Sequence, residues 1–249
     1  FCEREVKPYC STWDREGIFP LETYRKAMEL GLHCLEIPEE YGGSGLDYVT
    51  TAAVQEVISS YDLGFNTSLG ATGLSLKPVL LFGTDEQKRK YAEAVMEGKM
   101  GCFALTEACA GSDAAAIRTI AVREGDEYVL NGTKCFITNG SYADMGVFFA
   151  LTDKEKGVKG ISAFIVDCHD PGFSVVGKED KMGIRASDTA SLVLNNVRVP
   201  AENLLGKEGE GFKIAMKTLD LARPFAGIGA VGVAQRCVDE CVKYMKERV

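Results

Sequence analysis

The sequence predicts an α+β protein made of consecutive domains. An N-terminal helical domain comes first, a middle antiparallel β-barrel or sandwich second, and the start of a C-terminal helical bundle third. Three observations predict this. Apolar residues recur at helical spacing through residues 1–100, and residues 101–206 break into short β-branched and aromatic segments separated by turn residues. Helical spacing then returns from about Gly209, in the segment 207–249. Helices, then strands, then helices is the order of separate domains, not of alternating β-α-β units.

The helical segments carry start signals. Leu21, Tyr24, Met28 and Leu32 share one face behind Pro20. Ala53, Val54, Val57, Ile58 and Tyr61 share another, with Thr50 and Thr51 as candidate N-caps. Thr84-Asp85-Glu86-Gln87 reads as a cap followed by acidic first-turn residues, which suit the positive end of a helix dipole. That helix is expected to run through Tyr91 and Val95 to Gly98. Tyr41-Gly42-Gly43-Ser44-Gly45 reads as a loop.

The period changes near Gly101. Strands are expected over 120–123, 128–130, 134–138, 147–151, 161–166, 173–176 and 190–199. Turns are expected at Glu124-Gly125-Asp126-Glu127, Asn131-Gly132-Thr133, Asn139-Gly140-Ser141 and Asp170-Pro171-Gly172. Beyond Gly209, Phe212, Ala215, Met216 and Leu219 share a helical face. After Pro224, Ala230, Ala234, Val238, Cys241, Val242 and Met245 continue the pattern, so 207–249 is expected to hold the first helices of a C-terminal domain. The sequence opens on Phe1 and Tyr244–Val249 still reads as helix, so the chain is expected to be a fragment.

Composition excludes several function classes. There are 28 Lys and Arg against 36 Asp and Glu, a net charge of −8. The most basic stretch, 207–249, holds only 8 basic against 6 acidic residues, so a phosphate-tracking nucleic-acid surface is not expected. No apolar run approaches the roughly 18–20 residues of a membrane span. Two histidines, His33 and His169, and nine cysteines without a C-x-x-C pair give no metal-site spacing. The cysteines are expected to be mostly small buried hydrophobes in a cytoplasmic protein.

Two motifs compete for attention. Gly227-Ile228-Gly229-Ala230-Val231-Gly232 spells G-x-G-x-x-G, but a dinucleotide fingerprint must follow a strand, and Lys217–Ala222 reads as helix. Small residues that let a second helix approach explain it better. Residues 104–116, Ala-Leu-Thr-Glu-Ala-Cys-Ala-Gly-Ser-Asp-Ala-Ala-Ala, lie where helices give way to strands. Small side chains there can bring backbone N–H groups and hydroxyls close to an anion or cofactor. A tight inter-domain turn is the structural alternative.

The stretch 104–113 resembles the first signature of the acyl-CoA dehydrogenase flavoenzymes. Further segments fit the family in order: Pro38–Gly45, Phe82-Gly83-Thr84 with Gln87-Lys88, and Asn131-Gly132 through Lys134, Phe136-Ile137-Thr138 and Asn139-Gly140. Lys181–Arg185 with Ser187, Val199-Pro200 with Asn203 and Gly206, Gly209 with Gly211-Phe212, and Leu219-Asp220 with Arg223 follow. The resemblance covers nearly the whole chain.

The resemblance implies FAD between three domains. Phe103, Leu105, Thr106, Gly111 and Ser112 would line it, and Phe136, Ile137 and Thr138 would flank the flavin ring. Ser112, Asp220 and Arg223 would contact the acyl-CoA. Asp220 and Arg223 could equally pair with each other on a helix surface. Glu107 and Asp113 would serve structure. The implied reaction is α,β-desaturation of an acyl-CoA thioester to a trans-2-enoyl-CoA, with electrons passed to electron-transferring flavoprotein from a tetramer built as a dimer of dimers. An enoyl- or acryloyl-CoA reductase, an oxidase or a non-catalytic flavin- or CoA-binding module would share the scaffold. The family's base is a Glu far down the C-terminal domain or, in a minority, the residue before the Arg, which here is Ala222. No catalytic residue is therefore expected within these 249 residues, and the fragment alone is expected to be inactive.

Overall fold

The computed structural model describes residues 1–248. Six helices precede the first strand: α1 (Cys2–Glu5), α2 (Cys10–Glu16), α3 (Leu21–Glu29), α4 (Tyr48–Tyr61), α5 (Leu63–Phe82) and α6 (Asp85–Met96). α4 starts one turn earlier than the threonines suggest. Asp47 is the N-cap, its carboxylate accepting from the Thr50 amide at 2.8 Å, while Thr51 is turned inward and buried. Asp62 caps α5 in the same way through the Phe65 amide at 2.7 Å. α6 opens on a complete capping box, with Thr84 and Gln87 each accepting from the other's amide. The same Gln87 donates through Nε2 to the carbonyls of Glu202 and Leu204, tying α6 to the end of the β region. α5 is the central helix. It is apolar on most faces, as a helix surrounded by neighbours must be, and it buries Phe65, Leu69, Leu76 and Val79.

Eight strands follow: β1 (Gly101–Ala104), β2 (Ile120–Glu124), β3 (Glu127–Thr138), β4 (Met145–Leu151), β5 (Ile161–Asp167), β6 (Phe173–Lys178), β7 (Thr189–Pro200) and β8 (Leu204–Leu205). They form one sheet in the order β6-β7-β3-β2-β4-β5-β8, with β1 paired to β4. The pairing is antiparallel apart from β1 with β4 and a single β2–β4 contact, which run parallel. Its core gathers Leu130, Phe148, Phe164, Leu192 and Val197.

The expected turn at Asn131-Gly132-Thr133 is absent. β3 runs straight through it, and the register with β7 shifts by one residue there instead. Asn131 accepts the Asn196 amide at 2.9 Å across this bulge, and Asn196 takes a positive φ of 58°. Gly132 is needed for packing, because a Cβ would stand 2.7 Å from the Thr119 Cα. Turn-forming residue types were present, but crowding explains the glycine.

The last segment is one helix, α7 (Gly211–Glu247), and not several. Pro224 lies inside it. Proline removes one intrahelical hydrogen bond at a cost of about 3 kcal/mol. Close packing on α4 and α5 holds the helix together regardless. Two of the three G-x-G-x-x-G glycines, Gly229 and Gly232, provide that packing. Gly232 sits where a Cβ would fall 2.3 Å from the Glu56 carbonyl oxygen, and Gly229 meets Leu63 in the same way. Farther along, Val231, Val238, Val242, Tyr244 and Met245 are exposed.

The cysteines depart from expectation. All nine are unpaired, but only Cys2, Cys102 and Cys168 are buried, while Cys109, Cys237 and Cys241 are exposed. The last two lie on the open face of α7, where no partner element shields them.

Candidate functional site

The loop after β1 is pinned by one buried carboxylate. Glu107 accepts from the Arg118 amide at 2.6 Å, the Thr119 amide at 3.1 Å and Lys134 Nζ at 2.8 Å. Lys134 also donates to the Leu105 carbonyl at 3.2 Å and the Phe149 carbonyl at 2.7 Å. All three donors of its ammonium are used, and its side chain is 0% exposed. Burial pushes the Lys134 pKa down to about 8, with the Glu107 charge opposing the shift. For Glu107, burial acts upward, but the Lys134 charge and the hydrogen bonds it accepts hold its pKa below the ordinary value. The Cys135 amide donates to the Thr106 carbonyl at 3.0 Å, which fastens the loop to β3. Glu107 is therefore a structural clamp.

β3 presents the next group through strain. Its register with β7 slips a second time between Lys134 and Ile137, and Phe136 at that bulge has φ of 58°. A bulky residue at positive φ is a genuine outlier, and bulges of this kind re-aim side chains. Here the result is a Phe136 ring that stays 63% exposed. Ile137 turns the other way and is buried in the β core.

Two cavities meet around Phe103. The first, about 330 Å³, is walled by Phe103, Phe136 and Thr138 from the strands, by α4 and α5, and by Ala222 and Phe225 of α7. The second, about 410 Å³, is walled by Phe103, Leu105, Thr106, Gly111 and Ser112 and by Phe212, Met216, Leu219 and Arg223 of α7. Phe103 faces both and packs on Phe149 at 5.0 Å between ring centres. The two predicted groups of residues thus border adjoining spaces. Ile137 lines neither: its side chain is buried in the β core and its carbonyl accepts the Gly140 amide at 3.1 Å. Asp220 also lines neither cavity. It pairs with Arg223 on the surface of α7, as the i, i+3 spacing allows.

Sequence reasoning missed part of the first cavity. Glu36 and Lys77 both line it and form an ion pair, their side chains only 18% and 9% exposed. Lys77 Nζ sits 4.9 Å from the Phe225 ring centre and 5.2 Å from that of Tyr48. The available signal was a lone lysine in the apolar run of α5. Ala222, in the same wall, has no group that could move a proton.

Comparison with known proteins fixes the family. Three family models match in series: Acyl-CoA dehydrogenase, N-terminal domain, over residues 1–99; the middle domain over 102–197; and the C-terminal domain over 209–249. The chain is 46% identical over 257 residues to the acryloyl-CoA reductase (NADH) of Anaerotignum propionicum, covering all of this chain and 64% of the relative. The butyryl-CoA dehydrogenase structure from Megasphaera elsdenii superposes with a TM-score of 0.95 at 44% identity, over 99% of this chain and 66% of that one. A chain of the structure described as "Electron transferring flavoprotein of Acidaminococcus fermentans: Towards a mechanism of flavin-based electron bifurcation" gives a TM-score of 0.97 at 46% identity, over 100% of this chain and 66% of that one. The chain thus spans a little under two thirds of the length of such relatives, and across that span it belongs to the acyl-CoA dehydrogenase family.

Proposed function

We propose that the protein binds FAD across the two adjoining cavities and oxidises a short acyl-CoA thioester at its α,β bond to the trans-2-enoyl-CoA. The observation that carries this reading is the pairing of an exposed aromatic ring with a small-residue loop around Phe103. Phe136, held out by its strained bulge, offers a flat apolar face beside Thr138. Thr106, Gly111 and Ser112 offer small polar and backbone groups in the adjoining space. A planar ring joined to a charged diphosphate fits that sequence of surfaces. When bound there, FAD supplies hydride acceptance from the β-carbon.

The chain's own residues do the rest. Phe136 shields one edge of the ring site from water, and the Thr138 hydroxyl donates toward the ring. Arg223, beside Ser112 in the second cavity, holds a polar or phosphate part of CoA with its guanidinium. Removal of the weakly acidic α-proton needs a carboxylate that is not already tied up in an ion pair. The carboxylate in the first cavity wall, Glu36, is engaged by Lys77, and Ala222 offers none. We place the base on a Glu outside residues 1–249. We also assign electron-transferring flavoprotein as the electron acceptor and a homotetramer as the assembly, supported by the family and by the similarity to a chain of a flavoprotein structure. Nine unpaired cysteines suit a cytoplasmic setting.

A second reading, reduction of an enoyl-CoA on the same scaffold, is favoured by the 46% identity to an acryloyl-CoA reductase. The experiment is turnover of the full-length protein. Oxidation of butyryl-CoA with an artificial electron acceptor supports the dehydrogenase, and NADH-dependent reduction of an enoyl-CoA without such oxidation supports the second reading.

A further inference from the structure

The first cavity is lined by more polar chemistry than an alkyl chain can use. Besides the Glu36–Lys77 pair, it draws on His33, Thr51 and Asn66. His33 Nδ1, Glu36 Oε1, Thr51 Oγ1 and Asn66 Oδ1 are each buried without a hydrogen-bond partner in the protein. They are half of the eight such atoms among the described residues, gathered at one cavity. Buried polar atoms without partners are costly, and their concentration at one place marks a site that something else completes.

The kind of atom narrows the ligand. His33 Nε2 lies 2.8 Å from the Val95 carbonyl and donates to it, which leaves Nδ1 as an acceptor. Burial lowers the His33 pKa, so the ring is neutral and keeps that acceptor. Glu36 Oε1 and Asn66 Oδ1 are acceptors too. Thr51 can give or take, and Lys77 can only give. An added carboxylate would bring a second anion to Glu36 and offer no donor to three acceptors. An added ammonium would meet Lys77. A hydroxyl does both jobs, accepting from Lys77 or Thr51 and donating to Glu36 or His33. An alkyl end would strip the ion pair of its remaining hydration and return nothing.

We propose that the acyl chain enters the first cavity beside the flavin ring, and that Glu36 and Lys77 form a polar end to it that selects a short acyl-CoA whose chain terminates in a hydroxyl group over the isosteric alkyl chain. This rests on the reading of the protein as an acyl-CoA oxidising enzyme and names its substrate class. Tyr48 and Phe225, neighbouring rings with centres 5.6 Å apart, both lie against the Lys77 ammonium, so the donor is fixed before the ligand arrives.

The test uses the full-length, FAD-loaded protein with 4-hydroxybutyryl-CoA, pentanoyl-CoA and glutaryl-CoA. Both kcat/KM with an artificial acceptor and the dissociation constant by calorimetry are measured. The expected result is at least tenfold better kcat/KM and tighter binding for the hydroxylated chain than for pentanoyl-CoA, with glutaryl-CoA weakest. In the double variant Lys77→Met with Glu36→Leu, which replaces the pair by apolar groups of similar size, the preference should reverse toward pentanoyl-CoA. Equal or better use of pentanoyl-CoA by the unaltered protein overturns the proposal, as does a preference for glutaryl-CoA. An unchanged preference in the double variant overturns the assignment to this pair. Absence of turnover with all three compounds overturns the oxidising-enzyme reading itself, a result distinct from turnover with the wrong preference.

Discussion

Lys134 Nζ lies 2.8 Å from Glu107 Oε1 with both side chains shielded from solvent, and this ion pair ties the loop after β1 to β3. The pair sets the positions of Thr106 and Phe136, which face neighbouring cavities. Removing one member of a buried pair leaves an uncompensated charge and costs about 3–5 kcal/mol. Lys134→Met should destabilise the protein by that order. Adding Glu107→Gln should recover part of the loss, because the amide is neutral and its oxygen still accepts from a loop amide. Denaturant unfolding of both variants checks this, and a double variant less stable than the single one contradicts it.

The same lysine gives a pH dependence. Its folded-state pKa is lowered from 10.5 to about 8, chiefly by burial. Between those values the unfolded chain binds more protons than the folded one, so this group's contribution makes stability rise with pH. Measured against the double variant, the native protein should gain stability from pH 8 to pH 10. A gap that stays level over that range would show an ordinary Lys134 pKa, and one that shrinks a raised pKa; either contradicts the burial.

Phe136 is expected to trade stability for binding. Its φ of 58° suits glycine, and its ring contributes little to the core. Phe136→Gly should leave stability unchanged or raise it by about 1 kcal/mol, while FAD affinity falls. Thr138→Val should weaken FAD binding or shift the flavin spectrum, with little change in stability. Equilibrium dialysis and absorption spectra read the binding. If both variants hold FAD as the parent does, the ring site lies elsewhere.

The α4–α7 contact separates two glycines of one motif. Gly232 is pressed against the Glu56 carbonyl, whereas a Cβ at Gly227 would meet nothing within 4 Å. Gly232→Ala should lower the unfolding midpoint and Gly227→Ala should raise it, the latter by the helix-propensity difference of about 1 kcal/mol. Thermal melts of the two variants, compared side by side, decide the matter.

Much of this architecture was legible in the residues, because helix caps and strand alternation are local. Thr84 and Gln87 announced α6, and the mixed apolar run 161–166 announced β5. What was illegible depended on contacts between distant segments. Asn131-Gly132-Thr133 carries turn-forming residue types, yet Gly132 lies inside β3 because Thr119 crowds it, and several helices were expected over 207–249 where one, α7, packs on α4 and α5. The same limit applied to the site. Phe103, Thr106 and Ser112 fall within one motif and could be read in line. Glu36 and Lys77 are 41 residues apart and signal nothing singly. Ile137 shows the converse, a motif residue whose side chain is spent on the core.

The full-length protein is expected to oxidise a short acyl-CoA through FAD held around Phe103 and Phe136. The most direct measurement of this is the visible absorption of the FAD-loaded protein on anaerobic addition of butyryl-CoA, beside an Arg223→Ala variant. Bleaching of the oxidised flavin band with appearance of the trans-2-enoyl thioester is expected, with a higher butyryl-CoA concentration for half-bleaching in the variant. A flavin that stays oxidised at saturating acyl-CoA would contradict it.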